Sequence, residues 1–121
     1  MADIEGAAVP ERLLITRTTG GDGVSVVSIA GEVDLDGSSQ LRDVLLSCVL
    51  TAPGTVVDFG EVAFLDSSGI NVLISAHQAA ETRGVWFRLA APQPAVERVL
   101  RLVGVDTLID CFPTVEQALA A

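Results

Sequence analysis

Lysine is missing from this 121-residue chain altogether, and the seven basic residues, all arginine, face sixteen acidic ones, for a formal net charge of −9. A surface so short of positive charge repels phosphates, which argues against nucleic acid or an anionic membrane as partner and makes a basic protein surface the natural counterpart. Cysteine is nearly as scarce. Cys48 and Cys111 sit among apolar residues (Leu46, Val49, Ile109, Phe112) and read as buried thiols, with no CxxC redox pair and no zinc-ligand spacing. Long apolar runs are missing too. The longest uncharged stretches, Val44 to Val57 and Ser67 to Ala80, hold 14 residues each, too few to span a bilayer. The N-terminus has neither a basic n-region nor an apolar h-region, so it does not read as a secretory signal, and a cytoplasmic, soluble protein is expected. Neither a P-loop, nor a GxGxxG phosphate cradle, nor a glycine-serine-glycine elbow occurs. Internal repeats, low-complexity segments and linkers are also lacking. With half of its residues apolar, a chain of this length supports one domain with a sizeable core.

What the chain does have is the stretch Phe64-Leu65-Asp66-Ser67-Ser68-Gly69-Ile70-Asn71-Val72-Leu73. An apolar strand end (Val62, Phe64, Leu65) runs into a polar turn, and a helical pattern starts at once behind it. Such a turn leaves several backbone N–H groups unpaired, and Asp66, Ser67 and Ser68 are all suited to accept one as the N-cap. A capped helix start accounts for the local pattern. A sharper reading leaves one hydroxyl spare at the positive end of the helix, a position that suits a phosphate. Along the helix, Asn71, Ser75, Gln78 and Thr82 form a polar stripe, and Val72, Leu73, Ala76, Ala79 and Ala80 face the core. Ile70, Ile74 and His77 fall on a flank between the two, where an exposed partner contact is expected.

In chain order, residues 1–11 read as a flexible tail and residues 12–121 as the domain. Leu13 to Thr18 and Val24 to Ala30 are β-branched runs separated by Gly20-Gly21-Asp22-Gly23, the pattern of an antiparallel hairpin. Gly31 to Gly37 reads as an acidic loop, with Asp36 as N-cap of a helix from Ser38 to Leu50 whose apolar face is Leu41, Val44, Leu45 and Cys48. Thr55 to Phe59 is a short strand. The central strand, turn and helix follow, ending near Arg83-Gly84. Val85 to Leu89 is a strand with Trp86 half exposed. Pro92 to Val103 is a helix with Val96, Val99, Leu100 and Val103 inward, closed by Gly104. Leu108 to Phe112 is a last strand, and Thr114 opens a final helix. The order β β α β α β α β α implies an α/β fold with about four helices on a mixed, mostly parallel sheet that begins with an antiparallel hairpin. Loops at the C-terminal ends of such strands carry functional groups, so residues 31–37 and 66–69 are expected on one edge of the molecule.

Three chemistries compete for these residues. A serine hydrolase would pair Ser67 or Ser68 with His77, the one histidine, but ten residues of shared helix put them roughly 15 Å apart at 1.5 Å per residue. A magnesium site from Asp34, Asp36 and Asp66 is conceivable, yet capping and solvated acids explain the same residues. The third is a protein-interaction surface whose spare hydroxyl is modified.

Gly31-Glu32-Val33-Asp34, Phe64-Leu65-Asp66-Ser67-Ser68-Gly69-Ile70 and Pro94-Ala95-Val96-Glu97-Arg98-Val99-Leu100 together resemble the bacterial anti-sigma factor antagonists of the STAS domain family. The resemblance covers roughly residues 12–120, and the Asp-Ser-Ser-Gly turn is its most specific element. It implies that Ser67 is phosphorylated by an anti-sigma factor that is also a serine kinase, with Asp66, Ser68, Gly69 and Asp34 around it. It implies a cycle in which the unmodified protein binds the anti-sigma factor and frees a sigma factor, the phosphorylated protein does not bind, and a serine phosphatase resets it. Partner contacts are expected at Ile70, Ile74, His77, Glu32 and Asp36. No cofactor is expected on this chain, ATP and magnesium belonging to the partner kinase, and the protein is expected to be a monomer or weak dimer and not an enzyme. Some STAS domains instead serve transporters or stress-signalling assemblies without phosphorylation, and there Ser67 would only cap its helix.

Overall fold

In a computed structural model that describes residues 13–121, the hairpin comes first. β1 (Leu13–Thr19) pairs antiparallel with β2 (Ser25–Val33) around a turn in which Val24 N donates to Asp22 Oδ1 at 3.0 Å. β2 then pairs parallel with β3 (Gly54–Leu65), β3 with β4 (Trp86–Ala90) and β4 with β5 (Asp110–Phe112), giving the order β1-β2-β3-β4-β5. The crossovers carry α1 (Leu35–Thr51), α2 (Ser67–Arg83), α3 (Pro94–Leu102) with the one-turn α4 (Val105–Leu108), and α5 (Val115–Ala120) follows the last strand. The α/β fold with a mixed, mostly parallel sheet is as expected, with one helix more than the pattern suggested.

Alternation along the strands sorts side chains into two layers. Val27, Ile29, Val57, Phe59 and Leu89 join the larger core, with Leu41, Leu45, Leu73, Val96 and Leu100 from the helices. On the opposite face Val56 and Ala90 pack with Ala118 of α5. Arg88 secures that helix. Its guanidinium lies 3.9 Å from the Trp86 ring centroid and donates to Ala118 O at 2.9 Å.

Five local expectations change. The last strand, expected from Leu108, begins at Asp110, because Val105 to Leu108 closes as the one-turn α4. Gly31 to Val33 is not loop but the end of β2, which passes two register shifts against β3, with Gly31 at φ 110°, a conformation glycine enters without a Cβ clash. The cap of α1 is accordingly Asp34, two residues before the expected Asp36, because β2 ends only where Val33 meets Leu65. Pro92 to Gln93 stays outside α3. Gln93 precedes Pro94, which disfavours helical backbone, and it sits at φ −65°, ψ 155°. Val103 is exposed at 55%, since α3 ends at Leu102 before a full turn could bring Val103 inward. The tail of residues 1–11 lies outside the described residues.

Candidate functional site

The site grows from two neighbouring strand ends. Val33 and Leu65 are register partners in the parallel pair β2–β3, and each is followed by an aspartate that turns the chain into a helix. Asp66 N donates to Val33 O at 3.1 Å, which ties the second turn to the first. Asp34 Oδ1 accepts from Asp36 N at 3.1 Å and from Gly37 N at 3.3 Å. Asp66 Oδ1 repeats the arrangement with Ser68 N at 2.9 Å and Gly69 N at 3.3 Å. Two aspartate-capped helix starts therefore stand side by side, and the expected meeting of the acidic segment with the serine turn occurs here.

Both turns place a glycine three residues after the cap. A Cβ on Gly69 would lie 2.5 Å from Leu65 Cδ1 and 2.7 Å from Val33 Cγ1, so the first turn of α2 sits directly on the ends of both strands. On Gly37 a Cβ would lie 2.5 Å from Leu13 Cδ2. The glycines thus let the helix starts approach the sheet closely enough for the caps to align.

The two serines differ in environment although they are adjacent. Ser68 is half-buried, and its hydroxyl donates to Asp66 Oδ1 at 2.5 Å. Ser67 is exposed, and its hydroxyl makes no hydrogen bond among the described residues. It stands at the first position of α2, where the helix dipole favours negative charge. The Ser68 hydroxyl holds the Asp66 carboxyl below its ordinary value, helped by the amides of Gly69, Ser68 and Leu35 against some desolvation. Asp66 is thus an anion through the neutral range.

Around this pair the remaining site residues divide. Glu32 is exposed beside Phe64, and Asp36 is exposed in the first turn of α1. The exposed flank expected of Ile70, Ile74 and His77 does not form. Ile70 is only 7% exposed, Ile74 is half-buried against the larger core, and the His77 side chain is 12% exposed. A helix lying on a sheet buries an arc broad enough to take in the row beside its central one. His77 Nε2 lies 3.5 Å from Glu81 Oε2, without hydrogen-bond geometry, and so faces along its own helix and not toward Ser67. No Ser-His pair can form there.

Sequence reasoning missed three neighbours. Leu35, exposed at 75%, and Phe64, at 49%, put apolar surface on either side of the turn. The available signal was position alone, Leu35 directly after one capping aspartate and Phe64 two residues before the other. Arg42 was also passed over. It lines a shallow groove of about 220 Å³ between α1 and α2 with Ser38, Ser39, Ser68 and Asn71. The Asp34 and Asp66 carboxylates turn toward amides, and among the described residues no three His, Cys, Asp or Glu side chains gather as a metal site.

A larger cavity of about 430 Å³ lies elsewhere, against α3, α4 and β5, and includes Cys111. That thiol is half-buried, less than expected, and burial with Asp106, Asp110 and Glu97 nearby pushes it up to about 11. Cys48 is fully buried and also raised, first by burial. Both are free thiols, and both stay protonated at neutral pH.

Known proteins resemble this chain in sequence and fold. The chain is 29% identical over 113 residues to the anti-sigma-F factor antagonist RsfB of Mycobacterium tuberculosis, covering 93% of this chain and 91% of the relative. It superposes on the crystal structure of an anti-sigma factor antagonist from Mycobacterium paratuberculosis with a TM-score of 0.83 and 28% identity, over 93% of this chain and 96% of that one. The Bacillus cell-fate determinant SpoIIAA, solved in unphosphorylated and phosphorylated forms, shares the fold with TM-scores of 0.75 and 0.70 at 20% and 19% identity, over 88% of this chain and 93% and 97% of those. No helix among the described residues is long and apolar enough to cross a membrane. The family model of the STAS domain matches residues 16–118, and the chain belongs to that family.

Proposed function

We propose that this protein is an anti-sigma factor antagonist whose partner binding is switched off by a phosphate on Ser67. The observation that carries the reading is the contrast within the turn, where Ser68 is bound to Asp66 and Ser67 is left as an exposed, unbonded hydroxyl at a helix N-terminus. The names of the relatives support the antagonist role, and the two forms of SpoIIAA support a phosphate as the switch. In the cycle proposed, the unmodified chain engages an anti-sigma factor with serine kinase activity and so releases a sigma factor. The kinase brings ATP and magnesium, and a serine phosphatase restores the hydroxyl.

The physics of such a switch needs no change of fold. A phosphate adds a charge of about −1.5 to −2 at the contact surface. Two like unit charges ~6 Å apart at an effective dielectric of ~20 repel by nearly 3 kcal/mol, on the order of a hundredfold in affinity before screening. The helix dipole tolerates the charge within the protein itself, so the cost falls on the interface.

Capture of the tagged chain from its host, with mass spectrometry of the turn and of co-purified proteins, tests the reading. An anti-sigma factor in the complex and phosphate on Ser67 are expected. Ser67→Ala should stay folded, resist modification and hold its partner persistently, whereas Ser67→Asp should bind at least about tenfold more weakly. Equal affinity of the wild type, Ser67→Ala and Ser67→Asp would reduce the turn to a helix cap and favour a constitutive STAS subunit.

A further inference from the structure

Ser67 and Ser68 present the same functional group one residue apart, so a kinase that reached one hydroxyl would meet the other. The turn itself separates them. Ser68 Oγ lies 2.5 Å from Asp66 Oδ1, an oxygen that also accepts from two backbone amides. Ser67 has no such tether. From this asymmetry we infer that Asp66 selects the phosphoacceptor, holding the Ser68 hydroxyl out of reaction and leaving Ser67 as the residue modified. The inference rests on the proposed phosphorylation of this turn.

The chemistry shows why a tether of this kind discriminates. In the transfer from ATP, the serine oxygen forms a bond to the γ-phosphorus as the bond from phosphorus to the bridging β,γ oxygen breaks. ADP leaves with that electron pair, and the hydroxyl proton passes to a base of the kinase or to solvent. The transition state is loose, so alignment of the oxygen matters more than its nucleophilic strength. Ser68 must break a charge-assisted hydrogen bond and rotate away from its own helix cap before it can align. Asp66 is a poor base for activating Ser68, because the hydrogen bonds it accepts stabilise the anion. Its charge also repels a γ-phosphate brought to Ser68 more strongly than one at the outward-facing Ser67. Asp66 is therefore a positioning residue that acts through Ser68.

The test is the distribution of phosphate between the two serines in chains produced in the native host, read by fragmentation that separates adjacent residues. The wild type should carry phosphate on Ser67. In Asp66→Ala the share on Ser68 should rise at least about tenfold, the lower end of what a hydrogen bond to a charged group is worth. Ser67→Ala should carry none, and Asp66→Ala combined with Ser67→Ala should regain it on Ser68. Asp66→Asn keeps a capping side chain without the charge, so it decides the matter if Asp66→Ala fails to fold, and its Ser68 share should also rise. A simple loss of stability would lower both signals without moving their ratio. Phosphate confined to Ser67 in every folded Asp66 variant would overturn the inference and leave the proposed switch standing. Phosphate on neither serine, wild type included, would overturn both.

Discussion

At the scale of single residues, the capping aspartates do their work through geometry that is measurable one amide at a time. Because the folded Asp66 carboxyl titrates below its ordinary value of 3.8, its contribution is complete above that pH and fades as pH falls through the lower, folded value. Protection of the Ser68 and Gly69 amides, with exchange rates corrected for the pH dependence of intrinsic exchange, should therefore stay constant from neutrality down to about pH 4 and fall only below it. In Asp66→Asn the acid step should vanish. Asp34 Oδ1 holds two amides of α1. Asp34→Asn preserves a capping oxygen, so it should cost less than about 1 kcal/mol in thermal unfolding. It should also leave the rate of the proposed Ser67 phosphorylation unchanged, and a large loss of rate would give the Asp34 charge a direct part in the transfer.

Elements show where the sequence was legible and where it was not. The apolar rows of α1 were readable because 3.6-residue spacing survives in full, with Leu41, Leu45 and Cys48 all buried. The Asp-Ser-Ser-Gly turn was readable because it joins an apolar strand end to a strong capping residue. β2 was cut short because Gly31 and its acidic neighbours carry the local marks of a loop, and only pairing with β3 keeps them extended. Leu108 reads as a strand start and Val105 to Thr107 as no element, because a helix of one turn is too short for helical periodicity to register. The flank of α2 was misplaced for a third reason, that the width of a buried arc is set by what the helix lies against. Ile74→Asp is accordingly expected to destabilise the fold by about 1–3 kcal/mol, by placing a carboxylate against the core. Calorimetry would check it, and an unchanged transition would return Ile74 to the surface. Gly69→Ala makes the complementary point. The helix gains up to about 1 kcal/mol of propensity from alanine, but contact with Leu65 and Val33 should cost about 1–3 kcal/mol. A net fall in melting temperature is expected, and a rise would show that the two side chains give way.

On the scale of the whole molecule, charge and shape act on the partner together. The chain carries −9, while the edge that bears Ser67 also presents Leu35 and Phe64, both substantially exposed. Charge acts at long range and governs encounter, whereas apolar contact acts only after docking and governs residence. The two are separable by salt. Raising ionic strength from about 0.01 M to about 0.1 M shortens the Debye length from roughly 30 Å to roughly 10 Å, within which the exposed acids no longer sum over the whole surface. Association with the proposed anti-sigma factor partner should then slow by about tenfold while dissociation barely changes. Leu35→Ser should do the reverse, hastening dissociation and sparing association, since an exposed leucine contributes little to the isolated fold. Stopped-flow binding across a salt series would separate these effects. If salt altered dissociation as much as association, the acids would lie inside the contact and the apolar pair would not be its anchor.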